Sequence, residues 1–302
     1  MRAAVYSFAF CLFSLLLFVA PAAFAGPVQI DTAQGPVTLE NLPERIAVLD
    51  TASADTILAL GVVPDGVVKP LFVKALEEQV ASVPAVGSLF EPDFEKIAAL
   101  APDVIVIGAR AQTHAAALSK IAPVLDMSVG RDALGDGLAR LDAFGVLTGR
   151  SVEAAALAKD LRAKTEHARA LVAKEGKALI VMTNGPKLSV FGPQSRFGWL
   201  HTALGWRAAK ADIAASPHGE AVSFEYIADA NPEVLLVIDR GQAVSNGMGN
   251  AAATLDTALI AGTKAARTGR VIYLSAAEIY VAGGGVQALN VTMDEIIAAL
   301  EN

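Results

Sequence analysis

The chain has 302 residues, a formal net charge of −7 and one cysteine. That acidic balance argues against nucleic acid as a partner, and a single thiol provides no disulfide framework. The length suits two domains of ordinary size.

Residues 1–25 read as a cleavable signal peptide. Arg2 supplies the positive start, Val5 to Ala20 the apolar run, and Ala23-Phe24-Ala25 an A-x-A cleavage site. The run is shorter than the roughly 20 residues a spanning helix needs, and no basic flank follows it. Cys11 falls inside the run and lacks the small residues that precede a lipoprotein cysteine. Cleavage after Ala25 is therefore expected to release a soluble periplasmic chain without lipid anchor, disulfide, thiolate metal site or cysteine nucleophile.

Beyond residue 25, short apolar strands alternate with helices. Arg45 to Asp50 reads as a strand, Ser53 to Leu60 as a helix ended by Gly61, and Val67-Val68 as a short second strand. Val104 to Ile107 is a continuous β-branched run, the pattern of a strand buried on both faces. Ser151 to Glu175 predicts a rod-like helix of roughly 37 Å, with Ser151 as its cap and Gly176 as its stop. Leu179 to Met182, Val234 to Ile238 and Val271 to Leu274 return to the strand pattern. The alternation predicts α/β layers with largely parallel sheets.

One internal repeat organises the chain. Phe94-Glu95-Lys96-Ile97-Ala98 leads through Pro102 and Val104 to Arg110, and Phe224-Glu225-Tyr226-Ile227-Ala228 leads through Pro232 and Val234 to Arg240, without a gap. A weaker echo pairs residues 58–62 with 202–206. Two copies predict two pseudo-equivalent lobes rather than a solenoid. The expected division is an N-terminal lobe over 26–150, a connecting helix over 151–175 and a C-terminal lobe over 176–302. One long rigid helix then joins two α/β lobes as a stiff hinge, with a ligand cleft between them.

Arg110 and Arg240 follow the carboxyl ends of buried strands, the edge that lines the crevice in open α/β sheets. Arg196 opens a predicted helix after the strand near residue 180 and an intervening hairpin. Each alone reads as a surface arginine; facing lobes bring all three into one cleft. Clustered cations are costly to desolvate without a partner, so the cleft calls for an anion. Guanidinium groups donate to oxygens and stack on rings, which suits a flat, oxygen-rich anion such as ferric catecholate. No G-x-S-x-G, H-E-x-x-H or P-loop pattern occurs, so the reading is a binding protein, not an enzyme.

Several motifs carry a closer resemblance: Gly87 with Glu95-x-Ile97-x-x-Leu100-x-Pro102-Asp103, Gly192-x-x-Ser195-Arg196-Phe197-Gly198, His218-Gly219-x-x-Val222-Ser223-x-Glu225, Asp239-Arg240 and Tyr280-x-x-Gly283-Gly284-Gly285. The chain resembles the helical-backbone class of ABC-importer binding proteins, and within it the ferric-catecholate receptors of the enterobactin, petrobactin and anguibactin type. The resemblance implies a periplasmic protein that captures a ferric siderophore and delivers it to an inner-membrane permease for iron uptake. It implies an arginine triad at Arg110, Arg196 and Arg240, iron ligands at His218 and Tyr280, and permease contacts at Glu95 and Glu225. Ferric iron then arrives as cargo in its siderophore complex, with no intrinsic cofactor, and the protein is expected to be a monomer. His218 alone reads as a solvated loop residue, and Glu95 and Glu225 also suit the positive end of a helix. His114 is the second candidate iron ligand; His167 and His201 read as structural. Gly283-Gly284-Gly285 reads as a flexible turn beside Tyr280, and Phe197, Trp199 and Trp206 as one amphipathic helix with Trp206 in the core. Haem is the main competing ligand, because tyrosine and histidine ligate its iron and arginines can hold its propionates; cobalamin and ferric citrate are weaker alternatives.

Overall fold

The computed structural model describes residues 26–216, 218–245 and 249–302. The expected signal peptide with Cys11, and Pro217 of the His218 loop, lie outside the described residues. Among the described residues no helix is long and apolar enough to cross a membrane.

An antiparallel hairpin, β1 (Val28–Thr32) and β2 (Gly35–Leu39), opens the N-terminal lobe. Its sheet then follows from β3 (Ile46–Val48), β4 (Gly66–Val67), β5 (Val104–Ile107) and β6 (Val124–Asp126), in the order β4-β3-β5-β6 and parallel throughout. The C-terminal lobe contains β7 (Ala178–Asn184), β8 (Lys187–Phe191), β9 (Glu220–Val222), β10 (Val234–Asp239) and β11 (Val271–Leu274). Its order is β11-β10-β7-β8-β9, parallel from β11 to β7 and antiparallel from β7 to β9. Strands β5 and β10 are buried at every position, as continuous apolar runs with helices on both faces require.

The repeat is structural. Helices Phe94–Leu100 and Phe224–Ala230 each bury one isoleucine, Ile97 and Ile227. Each ends in a left-handed residue, Ala101 at φ 48° and Asn231 at φ 42°. This cap reverses the chain into the proline that precedes the central strand.

The connecting helix spans Ser151–Val172. Arg150 rather than Ser151 occupies the cap position, without a side-chain capping bond, and the helix stops four residues before Gly176. Its buried stripe of Ala154, Ala158, Leu161, Thr165, Ala168 and Val172 faces the core, while its charged remainder meets water. The last helix, Val286–Glu301, runs beside it, joined by Lys164 Nζ–Asp294 Oδ2 at 2.7 Å and His167 Nε2–Glu301 Oε1 at 2.8 Å. This last helix also packs on helix Thr51–Ala59 of the N-terminal lobe. The chain therefore passes between lobes a second time, at residues 281–285, just after helix Ala276–Tyr280.

Candidate binding cleft

Each cleft arginine is placed by a local device. Strand β5 gives way to Gly108, where any side chain would collide with the buried Asp50 carboxylate. The chain then turns through a single 3-10 stretch, Ala109–His114, that carries Arg110. Asp50 itself caps helix Thr51–Ala59, its Oδ2 accepting from Ser53 N and Ser53 Oγ, both at 2.9 Å. Burial raises the Asp50 pKa above the usual carboxylate value; hydrogen bonds from Ser53 and the charge of Arg110 oppose this.

Arg196 sits in a closed turn after the β7–β8 hairpin. Ser195 Oγ donates to Gly192 O at 2.6 Å, and a side chain on Gly198 would strike the Pro193 carbonyl. Phe197 is driven into the core, edge-on to Phe191 with ring centroids 4.7 Å apart. The Ser-Arg-Phe-Gly motif thus locks a turn and anchors it with phenylalanine, leaving arginine to project. Helix Trp199–Thr202 follows and is only four residues long. The expected single helix through Trp206 is therefore not formed; Gly205 adopts φ 73° and Trp206 is buried.

Arg240 opens helix Arg240–Val244 directly after β10. Asp239 fixes this junction, Oδ1 accepting from Gln242 N at 3.1 Å and Oδ2 from Ala251 N at 2.7 Å.

The three arginines converge on Tyr280. Arg240 Nε donates to Tyr280 Oη at 3.0 Å. Arg110 Nη2, from the opposite lobe, donates to Tyr280 O at 3.4 Å, and Arg196 Nη2 donates to the same carbonyl. The Arg196 guanidinium lies 4.5 Å from the Tyr280 ring centroid and 5.3 Å from that of Phe197; that of Arg240 lies 5.7 Å from Tyr280. Burial, and then the positive charge of Arg110, lower the Arg196 pKa from the ordinary guanidinium value, while Tyr280 opposes the shift. An anion entering here relieves the repulsion between these cations.

Beside this cluster lies a cavity of 440 Å³ lined by both lobes. Asp50, Arg110, Ser128 and Arg131 line it from the N-terminal side; Arg196, Phe197, Trp199 and Ser216 line it from the other. Arg240 and Tyr280 lie outside its wall and reach it through Arg196, although Ile279 and Val281, the neighbours of Tyr280, belong to that wall. Arg131 was not singled out by sequence. It belongs to neither copy of the repeat, and only its position after β6 could have marked it.

His218 is exposed in the loop before β9, its amide donating to Ser216 Oγ at 3.2 Å. The next residue, Gly219, has φ 75° and packs where a Cβ would lie 2.8 Å from the Phe191 ring. Ser216 lines the cavity, so His218 stands near the rim, but no hydrogen bond or ring contact links it to Tyr280 or the arginines. Among the described residues no cluster of three His, Cys, Asp or Glu forms a metal site. His114 turns away: its Nε2 donates to Phe90 O at 3.1 Å and its ring meets the edge of Phe94. His201 is buried with Nδ1 donating to Trp206 O at 3.0 Å. Glu95 and Glu225 are exposed in the first turns of the repeat helices, and the Ser223 hydroxyl, followed by a backbone N–H, lowers the Glu225 pKa.

The sequence profile of the periplasmic binding protein family matches residues 46–278. The chain is 34% identical over 273 residues to the petrobactin-binding protein YclQ of Bacillus subtilis, covering 86% of this chain and 83% of that protein. It is 31% identical over 285 residues to the ferric-anguibactin-binding protein FatB of Vibrio anguillarum, covering 91% and 88%. Among solved structures, the periplasmic catecholate-siderophore binding protein VctP of Vibrio cholerae superposes with a TM-score of 0.83 at 31% identity, covering 90% of this chain and 99% of that one.

Proposed function

Because the chain belongs to the periplasmic binding protein family, we propose that it captures a ferric siderophore of catecholate type in the periplasm and delivers it to the permease of an ABC importer. One observation carries this reading: guanidinium groups from both lobes converge on one tyrosine, Arg240 on its hydroxyl, Arg196 on its ring face and Arg110, across the cleft, on its carbonyl. A catecholate ring offers the same face and the same oxygens, with negative charge added. Two relatives named for petrobactin and ferric anguibactin, and a catecholate-siderophore binding structure, support it; the haem alternative gains no support from them.

In this reading Arg110, Arg196 and Arg240 recognise the charge and rings of the complex, and the lobes of 26–150 and 176–302 close on it by a small tilt about the rod at 151–175. The iron is cargo. A siderophore with six donors satisfies it alone; one with four leaves two positions, which His218 and Tyr280 fill as imidazole and phenolate, the bound cation lowering the phenol pKa. Tyr280 must then exchange its arginine contacts for iron, and the His218 loop must move inward. Glu95 and Glu225, one on each lobe, meet cations on the permease. The chain acts as a monomer after removal of its signal peptide and carries out no chemistry on its cargo.

Visible absorption of the protein mixed in turn with a tetradentate ferric bis-catecholate, a hexadentate tris-catecholate, a ferric hydroxamate and haem tests this. The tetradentate complex should show a shifted charge-transfer band that Tyr280→Phe removes and His218→Ala perturbs, with the hexadentate band unchanged. A strong haem spectrum abolished by either substitution, with no catecholate binding, would contradict it.

A further inference from the structure

The first three amides of the last helix are donors without intrahelical partners, and the N-terminal lobe takes all of them. Val286 N donates to Thr56 Oγ1 at 3.2 Å, Gln287 N to Asp55 Oδ1 at 2.8 Å, and Ala288 N to Asp55 Oδ2 at 3.1 Å. The Gln287 side chain returns a fourth bond to Asp55 O at 2.8 Å. Asp55 is 1% exposed. The glycines around it are closed by protein, not open for movement. A Cβ on Gly285 would lie 2.6 Å from the Asp55 carboxylate, one on Gly284 (φ 95°) 2.7 Å from Val129, and one on Gly137 2.5 Å from Gly284 O. The expected flexible turn is thus a packed joint, five residues from the Tyr280 carbonyl on which Arg110 and Arg196 meet.

We propose that Asp55 is a positioning residue for the cleft: by holding residues 285–288 it fixes where the N-terminal lobe presents Arg110 to Tyr280, and so sets the geometry of the arginine cluster. The two carboxylate oxygens serve two adjacent N–H groups. Asparagine can serve only one and aims its own N–H₂ at the other, leaving a buried donor unpaired. Gly285→Ala strains the same joint from the opposite side without altering Asp55.

The test reads the protein without ligand first. The Arg110 Nη–H signals in an NMR spectrum of 15N-arginine-labelled protein report its bond to Tyr280 O. In Asp55→Asn and in Gly285→Ala these protons should exchange about tenfold faster, the equivalent of one lost hydrogen bond, while amides of β10 keep their wild-type protection. Unchanged Arg110 exchange in both variants, or equal acceleration of Arg110 and β10, would overturn the proposal, the second by reducing Asp55 to general stability. A ligand arm rests on the iron reading above: the affinity ratio of tetradentate to hexadentate catecholate complexes should fall about tenfold in both variants. Faster Arg110 exchange with an unaltered ratio would keep Asp55 as the positioning residue and reject Tyr280 as an iron ligand.

Discussion

The two copies of the repeat build the same unit and use it differently. Arg240 starts a helix pinned by Asp239 and meets Tyr280, a residue of its own lobe, at 3.0 Å. Arg110 rides a 3-10 turn after Gly108 and meets Tyr280 across the cleft at 3.4 Å. One arginine is organised before the lobes come together; the other depends on how they come together. Equivalent positions in a duplicated unit therefore carry a preset contact on one side and an adjustable one on the other.

The largest expected effect breaks the adjustable side through its carboxylates. Burial lifts the Asp55 pKa to about 7, opposed by the N–H groups of Gln287 and Ala288, with Glu278 and Asp50 adding to the rise. A folded-state value above that of a free aspartate means the native protein holds this proton more tightly than the unfolded chain. Its contribution is full below about pH 4 and is lost as pH rises through about 7, on the order of 4 kcal/mol in all. Urea unfolding at pH 5 and pH 7.5 should show lower stability at the higher pH. Asp55→Asn should flatten most of that slope, leaving the part due to Asp50, whose pKa burial raises as well. Stability that rises with pH over this range would exclude the assignment.

Exchanging charge on the crests should separate docking from capture. With Glu95 and Glu225 as the proposed permease contacts, Glu95→Lys and Glu225→Lys should set like charges against it at a cost of several kcal/mol. Cells should take up less iron, while the purified protein keeps its ligand affinity. Lowered affinity with normal uptake would assign these glutamates to the cleft.

The smallest effect sharpens the comparison at the helix caps. Ala101 adopts a left-handed conformation that costs a residue with a Cβ about 1 kcal/mol, so Ala101→Gly should stabilise by up to that amount. Asn231 tolerates the same conformation, and its Oδ1 accepts from Lys264 N at 2.9 Å. Asn231→Gly should therefore bring no gain or a small loss in thermal unfolding.

Legibility in the sequence followed the range of the interactions. Strands β5 and β10 and the helices before them were readable because β-branched runs and the Pro-Asp or Pro-Glu turns act locally. The Ser-Arg-Phe-Gly motif was visible only by resemblance: Arg196 was expected to open a helix, but it lies in a turn and the helix starts at Trp199. Helix Ala133–Leu147 was missed because Gly135, Gly137 and Gly145 depress helix propensity. Packing demands two of them: a Cβ on Gly145 would lie 2.6 Å from Ala154 Cβ, and Gly137 faces the Gly284 carbonyl. The β1–β2 hairpin escaped notice because its strands are short and half exposed. The Asp55 joint links residues more than two hundred positions apart, so nothing in the local pattern distinguishes it from a flexible glycine turn. His218 was visible only by resemblance, and its exposed position accords with the plain reading of a solvated loop residue.

The central claim is that the arginine cluster selects an anionic ferric catecholate. Fluorescence-quenching titration of the wild type and of Arg110→Ala, Arg196→Ala and Arg240→Ala against ferric tris-catecholate and a neutral ferric hydroxamate tests it most directly. Each substitution removes a charge-assisted contact worth roughly 1.5–3 kcal/mol, so catecholate affinity should fall on the order of tenfold to a hundredfold, and the wild type should bind hydroxamate poorly. Hydroxamate bound as tightly as catecholate, with all three variants unimpaired, would contradict the account.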